Sequence, residues 1–237
     1  SPIPRPFRVS AFLPINIPIG LGLLQPGAGI ISVIFWQWAN QTHAACMNYA
    51  NRPMGKSAPE LKESEILRVT DSIAVEKRTL ISYLGAVGSA MGVSLTVRHI
   101  SKTLQSRAML LLAPVCGVVA AAVTNLCLTR QRELTEGIEV ETADGKIIGR
   151  SQTAARKAIF ETAISRAVLP LPALGVTPFV FQSLENAQWY KSLATRIGRA
   201  GPLGVKYIAL MVISAISVPP AFAIFPHRGI LDTKRLE

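Results

Sequence analysis

The densest polar run inside an apolar setting is Trp36-Gln37-Trp38-Ala39-Asn40-Gln41-Thr42-His43-Ala44-Ala45-Cys46-Met47-Asn48-Tyr49-Ala50-Asn51-Arg52. At about 100° per residue, Gln41, Asn48 and Arg52 fall within about 40° of one another on a helix, flanked by Asn40 and Asn51. Four amides and one guanidinium therefore share one broad side. Amides and guanidinium offer hydrogen bonding and charge pairing, with no nucleophile among them. Such groups are expensive in lipid, so they must face a protein interior or a wet cavity. A ligand site meets that requirement; so does an interhelical hydrogen-bond network that only holds helices together.

Other chemistry is scarce. His43, Cys46 and Met47 have i, i+3, i+4 spacing suited to a soft metal, but three ligands on one turn without a carboxylate read as packing, and no metal is expected. No nucleophile elbow, HExxH, Walker loop or GxGxxG run is present, which argues against an enzyme and against a bound cofactor. The three cysteines, Cys46, Cys116 and Cys127, form no CxxC pair and read as reduced, buried thiols.

The elements that must position these residues follow from the charges. Only 25 Lys/Arg and 14 Asp/Glu occur in 237 residues. None falls in Val9–Asn51, Thr79–Val97, Ala108–Thr129, Ala167–Leu184 or Tyr207–His227. A bilayer core about 30 Å thick needs roughly 20 apolar residues per helix, and four of these runs are near that length. The pattern predicts an all-α, polytopic membrane protein, a single transmembrane domain over 1–237 with about five spans, near 29–49, 79–97, 108–129, 167–184 and 207–227. Polar segments at 52–78 and 130–166 separate them. The runs lack the alternation of a transmembrane barrel. Although the net charge is +11, the basic residues bracket the apolar runs instead of forming one stripe. This fits cations held at headgroups and argues against nucleic acid as a partner. No carboxylate lies within a span, which argues against a proton-relay pump.

Along the chain, Pro14, Pro18 and Pro26 predict a bent or re-entrant segment over Ala11–Leu24, with two full spans in the first run as the alternative. Ser57-Ala58-Pro59-Glu60 is a capping box, and Ile66, Val69 and Ile73 predict an amphipathic helix lying on the membrane or on the protein. Gly85, Gly88 and Gly92 along one side of the second span predict close approach of a neighbour. Asp144-Gly145 between Glu139–Ala143 and Lys146–Ile148 predicts a β-hairpin, after which Ser151 caps a helix leading into the fourth span. Pro170, Pro172 and Pro178 interrupt that span. Each removes a ladder donor, so the freed carbonyls must face protein or water, and a polar cavity shared with Asn48 is the expectation. With five crossings, Ser1, Arg98–Arg107 and Glu185–Lys206 share one side, read as the inner one from its basic excess. The start at Ser1, without initiator Met or targeting segment, reads as part of a longer protein.

Phe35-Trp36-Gln37-Trp38, then Asn40-Gln41-Thr42 and Asn48-Tyr49-Ala50-Asn51-Arg52, resembles the signature of the sideroflexins, carriers of the mitochondrial inner membrane formerly called tricarboxylate carriers. Arg8-Val9-Ser10-Ala11, Gly149-Arg150-Ser151 with Ala154-Ala155 and Lys157-Ala158-Ile159, the Pro170–Pro178 stretch and Ala223-Ile224-Phe225-Pro226 extend the resemblance from about Arg8 to Pro226. Two departures stand out: the family usually has Asn where this chain has Ala44, and a small polar residue where it has Pro53. The family's His-Pro-Asp-Thr motif does not occur before Ser1.

The resemblance implies a mitochondrial inner-membrane protein that moves small neutral amino acids, serine above all, for one-carbon metabolism. The residues suit such a zwitterion: Arg52 or a half-helix N-terminus for the carboxylate, and Asn40, Gln41, Asn48 or carbonyls freed at the prolines for the ammonium. Asn51 completes the expected substrate-binding set. Citrate would want several arginines, and the span interiors have none. The rival reading is a transport-inactive family member that serves as a structural or assembly subunit of a respiratory-chain complex, which Ala44 and Pro53 favour. The lipid bilayer is a partner on either reading.

Overall fold

The computed structural model describes residues 12–25, 27–51, 65–141 and 147–223, with side chains described for 14–25, 27–51, 77–141 and 147–217. Arg52, Pro53, the Ser57–Glu60 box, the Asp144-Gly145 turn and Ala223-Ile224-Phe225-Pro226 beyond its first residue lie outside the described residues, as does Arg8–Ala11.

Among the described residues the chain is almost entirely helical: α1 (Phe12–Leu23), α2 (Ile30–Ala50), α3 (Glu65–Thr103), α4 (Arg107–Thr129), α5 (Gln131–Glu136), a hairpin of β1 (Ile138–Glu141) and β2 (Ile147–Ser151), α6 (Gln152–Val168), a π-helical segment (Leu171–Val176), α7 (Thr177–Asn186), α8 (Gln188–Ile197) and α9 (Ala200–Ala223). Four stretches are long and apolar enough to cross a membrane: Lys77–Thr103, Arg107–Thr129, Gln152–Asn186 and Ala200–Ser217. They turn large apolar side chains such as Leu80, Leu84, Phe160, Ile208 and Ile216 outward, where lipid and not water must meet them. The protein is therefore an all-α polytopic membrane protein. α2 has the length of a fifth span, 21 residues, or about 31 Å. Its amides keep it below the apolarity of the other four.

The sequence expectations need three revisions. The amphipathic helix expected within 52–78 is not separate: α3 runs unbroken for 39 residues from Glu65 into the span. Its last apolar positions and the span share one helical register without a breaker between them. The glycine side of α3 is only partly a contact. A Cβ on Gly85 would meet Leu128, but Gly88 and Gly92 face open space. The helix instead packs through Ser82, Ala86, Ala90 and Ser94, every fourth residue, all buried. Ala86, Ala90 and Ala121 of α4 form one core cluster, so alanines and serines supply the close approach. The last span starts earlier than 207, because α9 begins at Ala200.

α1 is a 12-residue helix with Pro18 inside, about 18 Å long and too short to cross. It is nevertheless central. Ile17 packs with Phe181 and Leu210, and Ile19 and Leu23 pack with Val115 and Leu174. Gly22 has no side chain because the indole of Trp36 occupies that space. The hairpin is antiparallel, pairing Ile138 with Ser151, and the Ser151 hydroxyl accepts from the Ala154 amide at 3.2 Å, capping α6 as expected.

Candidate functional site

α2 runs antiparallel to α3, as three contacts at successive depths establish. Arg98 donates to the Ala28 carbonyl at 2.5 Å, Gln37 bonds Ser94, and the Thr42 and Tyr83 hydroxyls lie 2.9 Å apart. The middle contact is the most enclosed. Gln37 is 0% exposed; its Nε2 donates to Ser94 Oγ at 2.7 Å and to the Pro114 carbonyl at 3.2 Å. Ser94 Oγ in turn donates to the Ala113 carbonyl at 3.2 Å. A carbonyl can only accept, so the network fixes which end of the Gln37 amide points to α4.

Gln37 Oε1 is then left buried without a hydrogen-bond partner. An unpaired buried acceptor costs on the order of 1–3 kcal/mol, and such groups mark functional positions or bound water. Gly117 closes the floor of this node. A Cβ there would collide with Ser94 Oγ and lie 2.6 Å from the Ala90 carbonyl.

The sequence-predicted residues spread along this helix from the node outward. Gln41 is 8% exposed and joins the buried side. Asn40 is half-buried, and Asn48 and Asn51 are exposed near the end of α2. The Asn51 Nδ2 donates to the Met47 carbonyl at 2.9 Å within the helix. The four described amides therefore do not close around one point. The amides form a row, its inner end buried and its outer end open. Ala44 sits half-buried in the middle of it. His43 and Met47 are buried and Cys46 half-buried on α2.

The interrupted span is not opened at Pro170, Pro172 and Pro178. It continues as a π-helical segment between α6 and α7. A wider turn absorbs the lost donors without breaking the rod. One side of the segment faces protein: Leu174 and Gly175 are buried, as are Thr177 and Pro178 at the start of α7, while Leu171 and Val176 are exposed; Leu174 packs on Val115, with Leu112 and Trp36 beside it. The expected cavity between the break and Asn48 is thus corrected. Asn48 is eleven positions beyond Gln37, about 16 Å along the helix. Gln37 and the π-segment are the pair that converge, on opposite partners of α4 at Pro114 and Val115. Thr177 is 0% exposed and its hydroxyl also lacks a hydrogen-bond partner.

Gln37 falls between the Asn51 and Asn48 directions at about 100° per residue, so the same angular reading extended to Gln37 would have found it. Ser94 and Gly117 carry no such signal, being small residues among many.

Comparison with known proteins agrees with the helical pattern. Residues 1–237 match the family model described as "SFXNs: Sideroflexins". Sideroflexin-5 of Homo sapiens is 35% identical over 241 residues, covering 98% of this chain and 64% of the relative. Sideroflexin of Dictyostelium discoideum is 35% identical over 241 residues, covering 100% and 68%, and Sideroflexin-3 of Bos taurus 30% over 230 residues, covering 97% and 65%. The chain thus spans about two thirds of the length of these relatives. No solved structure matches it. With its whole length matched, the chain belongs to the sideroflexin family.

Proposed function

We propose that this chain is the membrane part of a mitochondrial inner-membrane transporter of small neutral amino acids, with serine the preferred substrate. The observation that carries the reading is the amide row of α2, open at Asn48 and Asn51 and ending at a buried, unpaired carbonyl oxygen of Gln37. A row of neutral donors and acceptors conducts a zwitterion without trapping it, and the terminal acceptor suits an ammonium. Arg52, Asn40 and Gln41 complete the proposed set, with Arg52 for the carboxylate. The π-segment at Pro170–Pro178 serves as the adjustable wall, because π-bulges occur at functional sites and, like prolines, are where a helix bends.

Uptake of radiolabelled serine into proteoliposomes tests this. Serine is expected to accumulate above protein-free vesicles and to be competed by unlabelled serine and not by citrate. Uptake equal to that of empty vesicles overturns it. Ala44, which removes an amide from the middle of the row, favours the second reading: a transport-inactive assembly subunit of a respiratory-chain complex. Comigration of native protein with such a complex, together with absent uptake, would support it.

A further inference from the structure

The other candidate site lies at the end of the bundle where α7 turns into α8. Ala187 is extended between the two helices, which leaves a groove of about 440 Å³ lined by Phe179, Val180, Ser183, Leu184, Ala187 and Trp189. Ser183, its one hydroxyl, is already spent on the Phe179 carbonyl. The groove is therefore apolar in effect. Trp189 is 54% exposed along its rim, and Tyr190, edge-on to it at 5.9 Å between ring centroids, is buried with its hydroxyl donating to the Pro202 carbonyl at 3.3 Å. α8 is thereby pinned to the start of α9 and holds the groove open.

The charge around it is one-sided. Lys191, Arg196 and Arg199 occur between Gln188 and Gly201 with no acid, and none of the three makes an ion pair among the described residues. The nearest carboxylate, Glu185, is taken by Lys206 at 2.6 Å. Arg196 lies two turns from Trp189, about 20° off in direction and roughly 10 Å along the helix. Consecutive spans alternate in direction, so Arg98, Lys102 and Arg107 at the α3–α4 turn belong to the same end. Unbalanced cations beside an apolar, Trp-rimmed groove match one chemistry: a phosphate headgroup attached to an acyl chain.

The geometry points to a binding site for an anionic phospholipid, its acyl chain in the α7–α8 groove against Phe179 and Trp189 and its phosphate at Arg196, on the Trp189 side of α8, and at Arg199 just beyond it. A zwitterionic phospholipid fills the groove equally well, but its own ammonium offsets its phosphate, so it gains less from the uncompensated charges. This site is independent of the amide row, at the end of the bundle and on different helices.

The test uses the chain in phosphatidylcholine nanodiscs holding about 10 mol % of a brominated-acyl lipid, either phosphatidylglycerol or phosphatidylcholine, a content in the range where anionic lipid is discriminated by charge. The readout is quenching of Trp189, taken as the difference between the wild type and Trp189→Phe. Quenching by the brominated phosphatidylglycerol is expected to be about twice or more that by the phosphatidylcholine, and the excess is expected to vanish in Arg196→Gln/Arg199→Gln. Ser183→Phe, which fills the groove from an exposed position with every cation intact, is expected to abolish it too, and serves if the double variant does not fold. Equal quenching by the two lipids overturns the site. So does an excess that survives either variant, or one that inorganic phosphate removes as well as phosphatidylglycerol provides it, since that assigns the cations to free phosphate.

Discussion

Two contacts on the same pair of helices obey different rules. Where α3 meets α4, the surfaces are Ala86, Ala90 and Ala121, fully buried and without a polar atom to satisfy. One turn further along, where α2 joins them, the contact is made by Gln37, Ser94 and two carbonyls of α4, with one acceptor left over. The first is what close packing in a membrane needs and no more: small side chains, short interaxial distance, dispersion attraction. The second pays a polar penalty that packing does not require. One bundle can hold a dry seam and a polar node together only if the seam supplies the stability and the node is free to serve something else.

The largest effect should come from Gly117, where seam and node touch. Gly117→Ala places a methyl against Ser94 Oγ and 2.6 Å from the Ala90 backbone carbonyl; the hydroxyl can rotate but the carbonyl cannot, so α3 and α4 must separate. Overpacking of this kind costs about 1–3 kcal/mol. Gly88→Ala on the open side of α3 is the matched control and should be neutral or slightly stabilising, because alanine is the better helix former. Thermal denaturation in one detergent should separate the two variants by several degrees; coincident curves would mean the close approach at Gly117 contributes little.

The next effect separates stability from function. Gln37→Leu removes a group whose acceptor is unpaired, while Ser94 keeps its bond to the Ala113 carbonyl. The stability change should lie within about 1 kcal/mol of zero, because deleting an unsatisfied polar atom offsets the lost donor bonds. Serine uptake should fall by about tenfold or more, the loss of one good contact. A variant that melts early yet transports normally would make Gln37 structural glue. A smaller effect belongs to the Thr42–Tyr83 pair at 2.9 Å. Tyr83→Phe leaves the ring in place and removes one half-buried hydrogen bond, so a loss of about 1 kcal/mol and unchanged uptake are expected.

How much of this could be read beforehand depends on the range of the interaction. Spans, the hairpin and the Ser151 cap are local: charge gaps, an Asp-Gly pair and a hydroxyl three residues before the amide it caps. They are legible because the chain carries both partners within a few positions. The angular spacing of the α2 amides is local in the same sense. Which of them meets a partner is not. Asn48 and Gln37 share a face, and only the depth at which Ser94 and Pro114 arrive, 57 and 77 positions away, decides that Gln37 is enclosed and Asn48 is not. The proline break was legible as a disturbance but not as a π-turn, because three missing donors allow either an open kink or a wider helix. Neighbouring helices choose between them.

The smallest expected effect carries the comparison outside the bundle, to polar groups that water can reach. Arg150 sits between Glu136 and Glu139, each at 3.7 Å, and Arg132 reaches Glu136 at 4.0 Å; all four side chains are more than half exposed. These pairs line a cavity of about 290 Å³ between α5 and the hairpin, and they hold more charge than the Gln37 node holds dipoles. Water screens them, and ordering the long side chains offsets most of the Coulomb gain, so Glu136→Gln should lower stability by no more than about 0.5 kcal/mol. Half-molar salt shortens the screening length to roughly 4 Å, comparable to the pair separations, and should erase even that difference. The same salt should leave the Tyr83→Phe difference unchanged, since neither hydroxyl carries charge. If Glu136→Gln instead cost more than Tyr83→Phe at low salt and at high salt alike, burial would not be what separates the polar contacts that matter in this molecule from those that do not.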